Sequence, residues 1–373
     1  MLYELFNVDH HYRLPNPGYR KGTMSIEYIS LILVVVALLI AAASLVSVGR
    51  LRVKVQGIAS TPVVSDALAS TSRAALVINP SKSAADSTRA AVMLAWASAG
   101  LDEPLVLETT VEDPGYGMAR QALEAGCEVV IAAGGDGTVR AVGEVLAGSR
   151  ASMAILPLGT GNLLARNLGF DVESLDACVH TALQGRTRGI DAARIELERA
   201  DGTTDTNIFL VMAGIGTDAE MMADTRDDLK AMVGPLAYAE AGMRHLPGKR
   251  RPVTITLDDG EPMERSIRSV IFANAGKLQA GLEFVPDAKV DDGVLDLVVM
   301  SPRSAVGWAW IAAKTALRHR RAIPVIEYFQ AKRIRLVAQE EIGSQLDGDT
   351  TGDVRAVTVT TMPLGLKVRV PAS

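Results

Sequence analysis

Beyond residue 73, short apolar segments of strand length alternate with segments of helical pattern. The predicted strands in this region are Ala74–Asn79, Leu105–Thr109, Val129–Ala133 and Ala154–Leu156. The predicted helices are 86–99, 118–125, 139–146 and 163–168. Such alternation is typical of a parallel sheet with helices on both faces, which binds ligands at the carboxyl ends of its strands. The pattern predicts a Rossmann-like parallel α/β domain over residues 73–190.

The pattern changes near Asp191, where strands begin to follow one another across short turns. Two hairpins are predicted, one around Ala200–Thr203 and one around Asp258–Gly260. The later predicted strands are Leu295–Met300, Ile323–Phe329 and Ile334–Ala338, and the predicted helices are Leu236–Met243 and Ala305–Leu317. This succession predicts a β-sandwich domain over residues 191–373. The sequence identifies no partner for the last strand, Val368–Pro371, and leaves open its return to the first domain.

The N-terminal part carries the most apolar segment of the chain. No charged residue occurs between Tyr28 and Gly49, and about 20 apolar helical residues span a hydrocarbon core of about 30 Å. We therefore predict a transmembrane helix over 28–49, a disordered tail over 1–27 and a linker over 50–72. A secretory signal peptide fits less well, because the apolar run is too long and a long polar segment precedes it.

Composition excludes several classes of function. The net charge of −5 provides no basic field for nucleic acid, and an aromatic content of 4% offers no platform for stacking bases. The two cysteines, Cys127 and Cys178, are expected to be buried reduced thiols. The five histidines have no spacing typical of a zinc site.

The third predicted strand ends in Gly134-Gly135-Asp136-Gly137-Thr138, and a helical pattern follows. Glycines at a strand-to-helix turn allow close backbone approach, and a helix N-terminus attracts anions. The turn therefore predicts a phosphate site. A carboxylate among these glycines would repel phosphate unless a cation lay between them, so we expect Asp136 to face a magnesium ion that arrives with a nucleotide.

A second glycine turn, Pro157-Leu158-Gly159-Thr160-Gly161-Asn162, follows the next strand. Adjacent parallel strands bring their carboxyl-terminal turns side by side, so both turns are expected to face one nucleotide. Thr138 and Thr160 each place a hydroxyl group beside a glycine, where it can bond a phosphate oxygen. Asn162 is expected to cap the helix that follows.

Together with Asn79-Pro80, these turns resemble the catalytic-domain superfamily of diacylglycerol kinases, and most closely its soluble bacterial lipid kinases. The resemblance runs from about Arg73 to the C-terminus and leaves out the predicted transmembrane segment. Its further motifs are Gly214–Ala219, Phe272–Asn274, Pro286–Ala288, Asp291–Asp296 and Leu346–Asp349.

The resemblance implies positions for the nucleotide and for a structural metal ion. The implied nucleotide-binding residues are Asn79, Thr110, Gly134, Gly135, Asp136, Gly137, Thr138, Val139, Gly159, Thr160, Gly161 and Asn162. The implied metal site consists of Asp292 with the backbone oxygens of Lys289 and Val294.

The resemblance also implies a general base, which in the family is the Glu of a Leu-Asp-Gly-Glu string. Here that position is Asp349, one methylene shorter. A closer backbone, a bridging water or a role shared with Asp347 would each compensate, and the sequence does not choose between them. The catalytic residues expected are thus Asp349, Asp347 and Asp136.

These inferences lead us to expect a lipid kinase that uses ATP and Mg²⁺ to convert diacylglycerol to phosphatidic acid. One alternative is a kinase for sphingosine, another long-chain base or another lipid alcohol. NAD kinase, which shares the Gly-Gly-Asp-Gly turn, is a second alternative. A non-catalytic membrane scaffold that senses nucleotide is the third.

The expected partners are the bilayer and its lipid substrate, with no nucleic acid, and a homodimer is left open. Basic residues flank the apolar segment on both sides, with Arg13, Arg20 and Lys21 before it and Arg50, Arg52 and Lys54 after it. The positive-inside rule therefore does not orient the segment. We place the catalytic part in the cytoplasm, as a single-pass membrane protein, because ATP is found there.

Overall fold

A computed structural model describes residues 73–216, 250–277, 285, 288–304, 307, 311 and 324–372. All of them belong to one compact unit. The predicted tail, transmembrane helix and linker lie outside these residues, as do the predicted helix Leu236–Met243 and most of Ala305–Leu317. Within the part of the chain that is described, no helix is long and apolar enough to cross a bilayer.

The first lobe contains four parallel strands and five helices. Its strands are β1 (Ala74–Ile78), β2 (Leu105–Glu108), β3 (Val129–Gly134) and β4 (Ser152–Pro157), in the spatial order β4-β3-β1-β2. Its helices are α1 (Ala85–Ser98), α2 (Tyr116–Glu124), α3 (Asp136–Leu146), α4 (Leu163–Asn167) and α5 (Leu175–Gln184). Every residue of β1 and β3 is buried, as expected for central strands of a parallel sheet.

Two of these helices differ from the sequence prediction. Helix α3 begins at Asp136, so the glycine turn itself supplies its first residues. Helix α5 was not predicted. It begins after Ser174, whose hydroxyl group accepts a hydrogen bond from the backbone N–H of Ala177, and this N-cap was the available signal.

The second lobe is antiparallel. Its strands are β5 (Arg186–Glu198), β6 (Thr204–Phe209), β7 (Met212–Gly216), β8 (Arg251–Leu257), β9 (Met263–Ile267), β10 (Ser269–Ala273), β11 (Leu295–Met300), β12 (Ile326–Ala331), β13 (Arg333–Leu346) and β14 (Asp349–Val370). Strands β12, β11, β10, β7, β13 and β14 neighbour one another in that order, and β5, β6, β8 and β9 branch from this path. A hydrophobic core separate from that of the first lobe includes Phe209, Phe272 and Leu336.

The last strand joins the two lobes. Strand β14 pairs with β13 and β5 in the second lobe, and its end then runs parallel to β4, with Val368 beside Met153. A register shift between Met362 and Leu366 marks the place where the strand passes from one lobe to the other. The segment whose partner the sequence did not identify therefore returns to the sheet of the first lobe.

A fully buried carboxylate fixes this register shift. Asp191 on β5 accepts hydrogen bonds from the backbone N–H groups of Leu364 and Gly293, each at 2.7 Å. Its own N–H donates to the carbonyl of Val290 at 2.6 Å. The side chain of Asn274 donates to the carbonyl of Asp191 at 2.8 Å. One residue therefore ties the irregular part of β14 to the loop that precedes β11.

We expect Asp191→Ala to lower the free energy of unfolding by about 2–4 kcal/mol. The substitution leaves two part-buried N–H groups without their acceptor, at about 1–2 kcal/mol each, in the lower part of the range for an unsatisfied donor. Urea denaturation measures the effect. Asp205→Ala is the matched control, because it removes only the exposed ion pair with Arg199 and should cost less than about 1 kcal/mol. Equal losses in the two variants would contradict the role assigned to Asp191.

Candidate active site

The first glycine turn is closed by its own threonine. A Cβ atom added to Gly134 would lie 2.5 Å from both Cβ and Oγ1 of Thr138, so only glycine fits at this position. Thr138 is 3% exposed and packs beneath the turn. Its side chain supports the strand end, and the expected contact of its hydroxyl group with a phosphate oxygen stays a prediction.

The two glycine turns lie against each other, as the parallel pairing of β3 and β4 predicts. A Cβ atom added to Gly159 would lie 2.7 Å from the Cα atom of Gly135. The backbone N–H of Leu158 donates to the carbonyl of Gly134 at 2.8 Å. Thr160 is exposed at the second turn, while Gly161 and Asn162 are buried. The turns thus form one continuous surface at the carboxyl edge of the sheet.

Asp136 connects the turns through its side chain. One carboxylate oxygen accepts the N–H of Asn162 at 2.9 Å, and the other accepts the N–H of Leu163 at 2.6 Å. Asp136 therefore caps α4 from the neighbouring turn. Burial raises its pKa, the two N–H donors lower it, and the nearby carboxylate of Asp349 raises it, with a net upward shift. Both oxygens of its carboxylate contact the N-terminus of α4, and the expected contact with a nucleotide-borne cation stays a prediction.

Asn162 has a different role from the predicted helix cap. Its backbone is left-handed, with φ of 48°, and its side chain makes no capping hydrogen bond to α4. Instead Oδ1 accepts the N–H of Gly159 at 3.1 Å, and Nδ2 donates to the carbonyl of the same residue at 2.7 Å. Asn162 closes the second turn, and this leaves the helix N-terminus to Asp136.

A lysine that the sequence analysis did not single out lies beside the first turn. The Lys82 ammonium nitrogen is 4.0 Å, and its Cε atom 3.9 Å, from the position of a Cβ atom on Gly135. Asn79 positions this segment, because its N–H donates to the carbonyl of Ala133 and its side chain accepts from Ser81. The signal was available, since Lys82 follows β1, the strand next to β3. It brings a positive charge to a turn suited to anions.

Thr110 lies in a turn that caps α2. Its hydroxyl oxygen accepts the N–H of Asp113 at 3.1 Å, and Thr110 is exposed. The Asp113 carboxylate accepts the N–H groups of Gly115, Tyr116 and Gly117. Burial raises the pKa of Asp113, but these donors outweigh it and the net shift is downward. The N-terminus of α2 is thus already occupied by a carboxylate, whereas the N-cap residue of α3 is Gly135, which has no side chain to occupy that end.

Of the two candidate bases, Asp349 faces the first turn. Its Oδ2 atom lies 3.5 Å from the position of a Cβ atom on Gly137, so a side chain at residue 137 would fill the space between them. The same oxygen accepts a hydrogen bond from Nη2 of Arg140 at 2.7 Å. The side chain of Asp349 is 55% exposed and is therefore accessible to a second substrate.

Asp347 points into the protein. Its carboxylate accepts the N–H groups of Leu210, Val211 and Met212 at 2.8–3.0 Å. Burial raises its pKa to about 6, although the three donors and the Arg140 guanidinium lower it. With both oxygens bound to backbone, Asp347 anchors the segment between β6 and β7 and is not presented for proton transfer.

The segment expected to hold a structural metal ion lies just before β11. Asp292 is exposed, and its Oδ1 atom accepts the N–H of Val294 at 3.3 Å. Lys289 precedes Val290, whose carbonyl oxygen accepts a hydrogen bond from the backbone N–H of Asp191. Among the residues that the structure describes, no group of three or more His, Cys, Asp or Glu side chains could hold a metal ion. The expected set, which has one carboxylate and two backbone oxygens, stays a prediction.

Two family models match the chain in succession. Residues 73–195 match the diacylglycerol kinase catalytic domain, and residues 210–370 match the YegS C-terminal NAD kinase beta sandwich-like domain. The junction between them falls near the passage from parallel to antiparallel strands.

Curated relatives are lipid kinases by name. A "Probable lipid kinase YegS-like" of Pseudomonas aeruginosa (strain UCBPP-PA14) is 30% identical over 306 residues, which cover 80% of this chain and 94% of that protein. A "Diacylglycerol kinase" of Bacillus subtilis (strain 168) is 28% identical over 237 residues, covering 63% of this chain and 75% of the relative.

Solved structures share the fold. A diacylglycerol kinase from Bacillus anthracis str. Sterne superposes with a TM-score of 0.57 at 21% identity, covering 80% of this chain and 96% of that one. Yeast NADH kinase superposes with a TM-score of 0.50 at 10% identity, with coverage of 83% and 89%.

The buried Asp347 carboxylate should make stability depend on pH. Its folded-state pKa of about 6 exceeds the unfolded value of about 3.9, so the folded chain binds more protons between these values. The stability it contributes is full below about pH 4 and is lost as the pH rises through about 6. Relative to Asp347→Asn, the unfolding free energy of the wild type should fall by up to about 3 kcal/mol over this range. Urea denaturation at several pH values tests this, and a pH-independent difference would contradict it.

Proposed function

The chain belongs to the diacylglycerol kinase catalytic-domain family of lipid kinases, and from this premise we propose that it transfers the γ-phosphoryl group of ATP to diacylglycerol. The products would be phosphatidic acid and ADP. The observation that carries the proposal is the position of Asp349, whose accessible carboxylate lies against Gly137 at the start of α3. An acid–base group is thus next to a turn suited to phosphate.

The phosphate groups of ATP would bind where the two glycine turns meet. Helix α3 begins at this point without a side-chain cap, and the positive end of its dipole favours an anion. The Lys82 ammonium group adds a full positive charge beside Gly135. Phosphoryl transfer depends mainly on positioning and on neutralising the moving charge, and these groups supply both.

The residues at the site fit a magnesium ion that arrives with the nucleotide. Such an ion needs only one or two carboxylates in addition to substrate phosphates. Asp136 uses two of its roughly four lone-pair positions for α4, which leaves acceptor capacity on the same carboxylate. When bound, Mg²⁺ would neutralise charge on the β- and γ-phosphate oxygens.

Asp349 would act as the general base toward the lipid. Its carboxylate would accept the proton of the diacylglycerol hydroxyl group as the hydroxyl oxygen bonds to the γ-phosphorus atom. The bond between that phosphorus and the bridging oxygen breaks, and ADP leaves with the bonding electrons. Asp347 is not part of this step, because its oxygens accept three buried N–H groups.

A membrane location would suit this chemistry. Diacylglycerol stays in the bilayer, so an enzyme held there by the apolar segment 28–49 would meet its substrate at high effective concentration. We therefore propose a single-pass protein with its catalytic part in the cytoplasm, where ATP is present.

We also propose that a structural metal ion binds just before β11. Its ligands would be the Asp292 carboxylate and the backbone oxygens of Lys289 and Val294.

Another lipid alcohol is the second candidate acceptor. A relative that is 30% identical over 306 residues is named only as a probable YegS-like lipid kinase, without a specified lipid. The proposed chemistry is unchanged for a sphingoid base or a different glycerolipid. The likeness to NADH kinase is one of fold alone.

The acceptor is tested with the purified full chain in mixed micelles. Labelled ATP and Mg²⁺ are supplied with dioleoylglycerol, sphingosine or NAD, and we expect label in phosphatidic acid. Asp349→Asn should slow this transfer by about 100-fold or more, whereas Asp353→Asn, which changes an exposed aspartate on the same strand, should retain it. Label in another lipid would show that the acceptor is not diacylglycerol, while the proposed mechanism of phosphoryl transfer would stand. Label in NAD alone, or in none of the acceptors, would refute the proposal.

Lys82→Ala should raise the KM for ATP by about tenfold. A factor of ten corresponds to about 1.4 kcal/mol, close to the lower end of the range of about 1.5–3 kcal/mol for one hydrogen bond to a charged group. Steady-state kinetics at varied ATP concentration measure the change. Lys332→Ala, which removes an exposed lysine between β12 and β13, is the control and should leave KM unchanged. An unaltered KM in Lys82→Ala would remove this lysine from the phosphate site.

A further inference from the structure

One buried guanidinium group contacts the carboxylate that the proposed mechanism uses. Arg140 extends from α3, and its side chain is 11% exposed. Nη2 donates to Oδ2 of Asp349 at 2.7 Å, across the junction of α3 with the β13–β14 turn. Among the described residues, Arg140 is the ionic partner of Asp349.

The guanidinium is itself held in place. Nη1 of Arg140 donates to the hydroxyl oxygen of Tyr116 at 3.3 Å, and that hydroxyl donates to Oε2 of Glu144 at 3.1 Å. Tyr116 begins α2, and Glu144 lies one helical turn beyond Arg140 on α3. Hydrogen bonds therefore form a continuous chain that starts within the first lobe and ends at the proposed base. Its members are Glu144, Tyr116, Arg140 and Asp349.

This geometry differs from that of an ordinary surface ion pair. Two exposed, flexible side chains gain about 0–1 kcal/mol from pairing, because ordering them costs entropy. Here the arginine is already ordered by burial and by Tyr116, so the exposed aspartate meets a fixed donor. A buried guanidinium that lost its partner would be unfavourable, which further favours the paired position of Asp349.

We propose that Arg140 is a positioning residue that holds Asp349 in place for proton abstraction. The hydrogen bond to Oδ2 fixes the carboxylate beside Gly137 and leaves Oδ1 to accept the proton of the lipid hydroxyl. This inference rests on the proposed function.

The test compares kinetic constants of the full chain and its variants with ATP and dioleoylglycerol in mixed micelles. Arg140→Gln should lower kcat by about 10- to 100-fold, since a misplacement of about 1 Å can cost about 100-fold. KM for ATP should change less than about threefold. The kcat of Arg140→Lys should lie between those of the wild type and Arg140→Gln, because lysine keeps the positive charge but lacks the planar guanidinium group. Arg335→Gln, which breaks the 2.5 Å pair with Glu198 in the second lobe, should leave kcat unchanged.

A double-mutant comparison separates positioning from general stability. Asp349→Asn should reduce kcat by about 10²- to 10⁴-fold, and adding Arg140→Gln should reduce it no further, because the arginine acts through the aspartate. Tyr116→Phe should lower kcat by about three- to tenfold when Arg140 is present and have no effect in Arg140→Gln. Thermal denaturation of each variant reports folding, and Tyr116→Phe carries the test if Arg140→Gln does not fold.

The results that would overturn the inference differ from those that would overturn the function. Unchanged kcat in Arg140→Gln or Tyr116→Phe, or full additivity with Asp349→Asn, would remove Arg140 as a positioning residue while leaving lipid phosphorylation intact. A wild-type chain that phosphorylates no acceptor would refute the proposed function, and the role of Arg140 in it. A normal kcat with a raised KM for ATP in Arg140→Gln would instead make the arginine a nucleotide-binding group.

Discussion

The carboxylate of Asp136 accepts the N–H groups of Asn162 and Leu163 from across the boundary between two glycine turns. Because these turns follow neighbouring parallel strands, this side chain sets their separation and the start of α4. Gly159 must then lack a side chain, since a Cβ atom there would lie 2.7 Å from the Cα atom of Gly135. The rest of the site, including Lys82 and Asp349, is arranged around the surface that this contact creates.

Asp347 and Asp349 lie in one turn, but the carboxylate of Asp347 is buried and that of Asp349 is exposed. The left-handed backbone at Asp347, with φ of 46°, directs its side chain into the protein, while Asp349 stays accessible. The inner carboxylate ties β13 to the segment between β6 and β7, and the outer one meets Arg140 from α3. The same short turn therefore secures the second lobe and brings the carboxylate of Asp349, the proposed base, to the first.

The pattern of apolar residues and glycines along the sequence was enough to predict the strands and glycine turns of the first lobe. The strand-to-glycine-to-helix units were recognisable because buried strands and glycine turns leave strong signals. The partner of Asp136 and the burial of Thr138 were not predictable, since both depend on how the turns pack. The course of β14 was also missed, because Pro363 and Gly365 interrupt its alternation at the register shift fixed by Asp191.

The place of β14 has a consequence for biosynthesis. The strand that borders β4 follows the other strands of the second lobe in the sequence, so the parallel sheet lacks one neighbour until β14 has been synthesised. Domains generally fold as units in the order in which they leave the ribosome. Here the open edge of β4 would be left unprotected throughout synthesis of the second lobe, and the nascent chain would need either rapid synthesis of β14 or a chaperone to shield this edge.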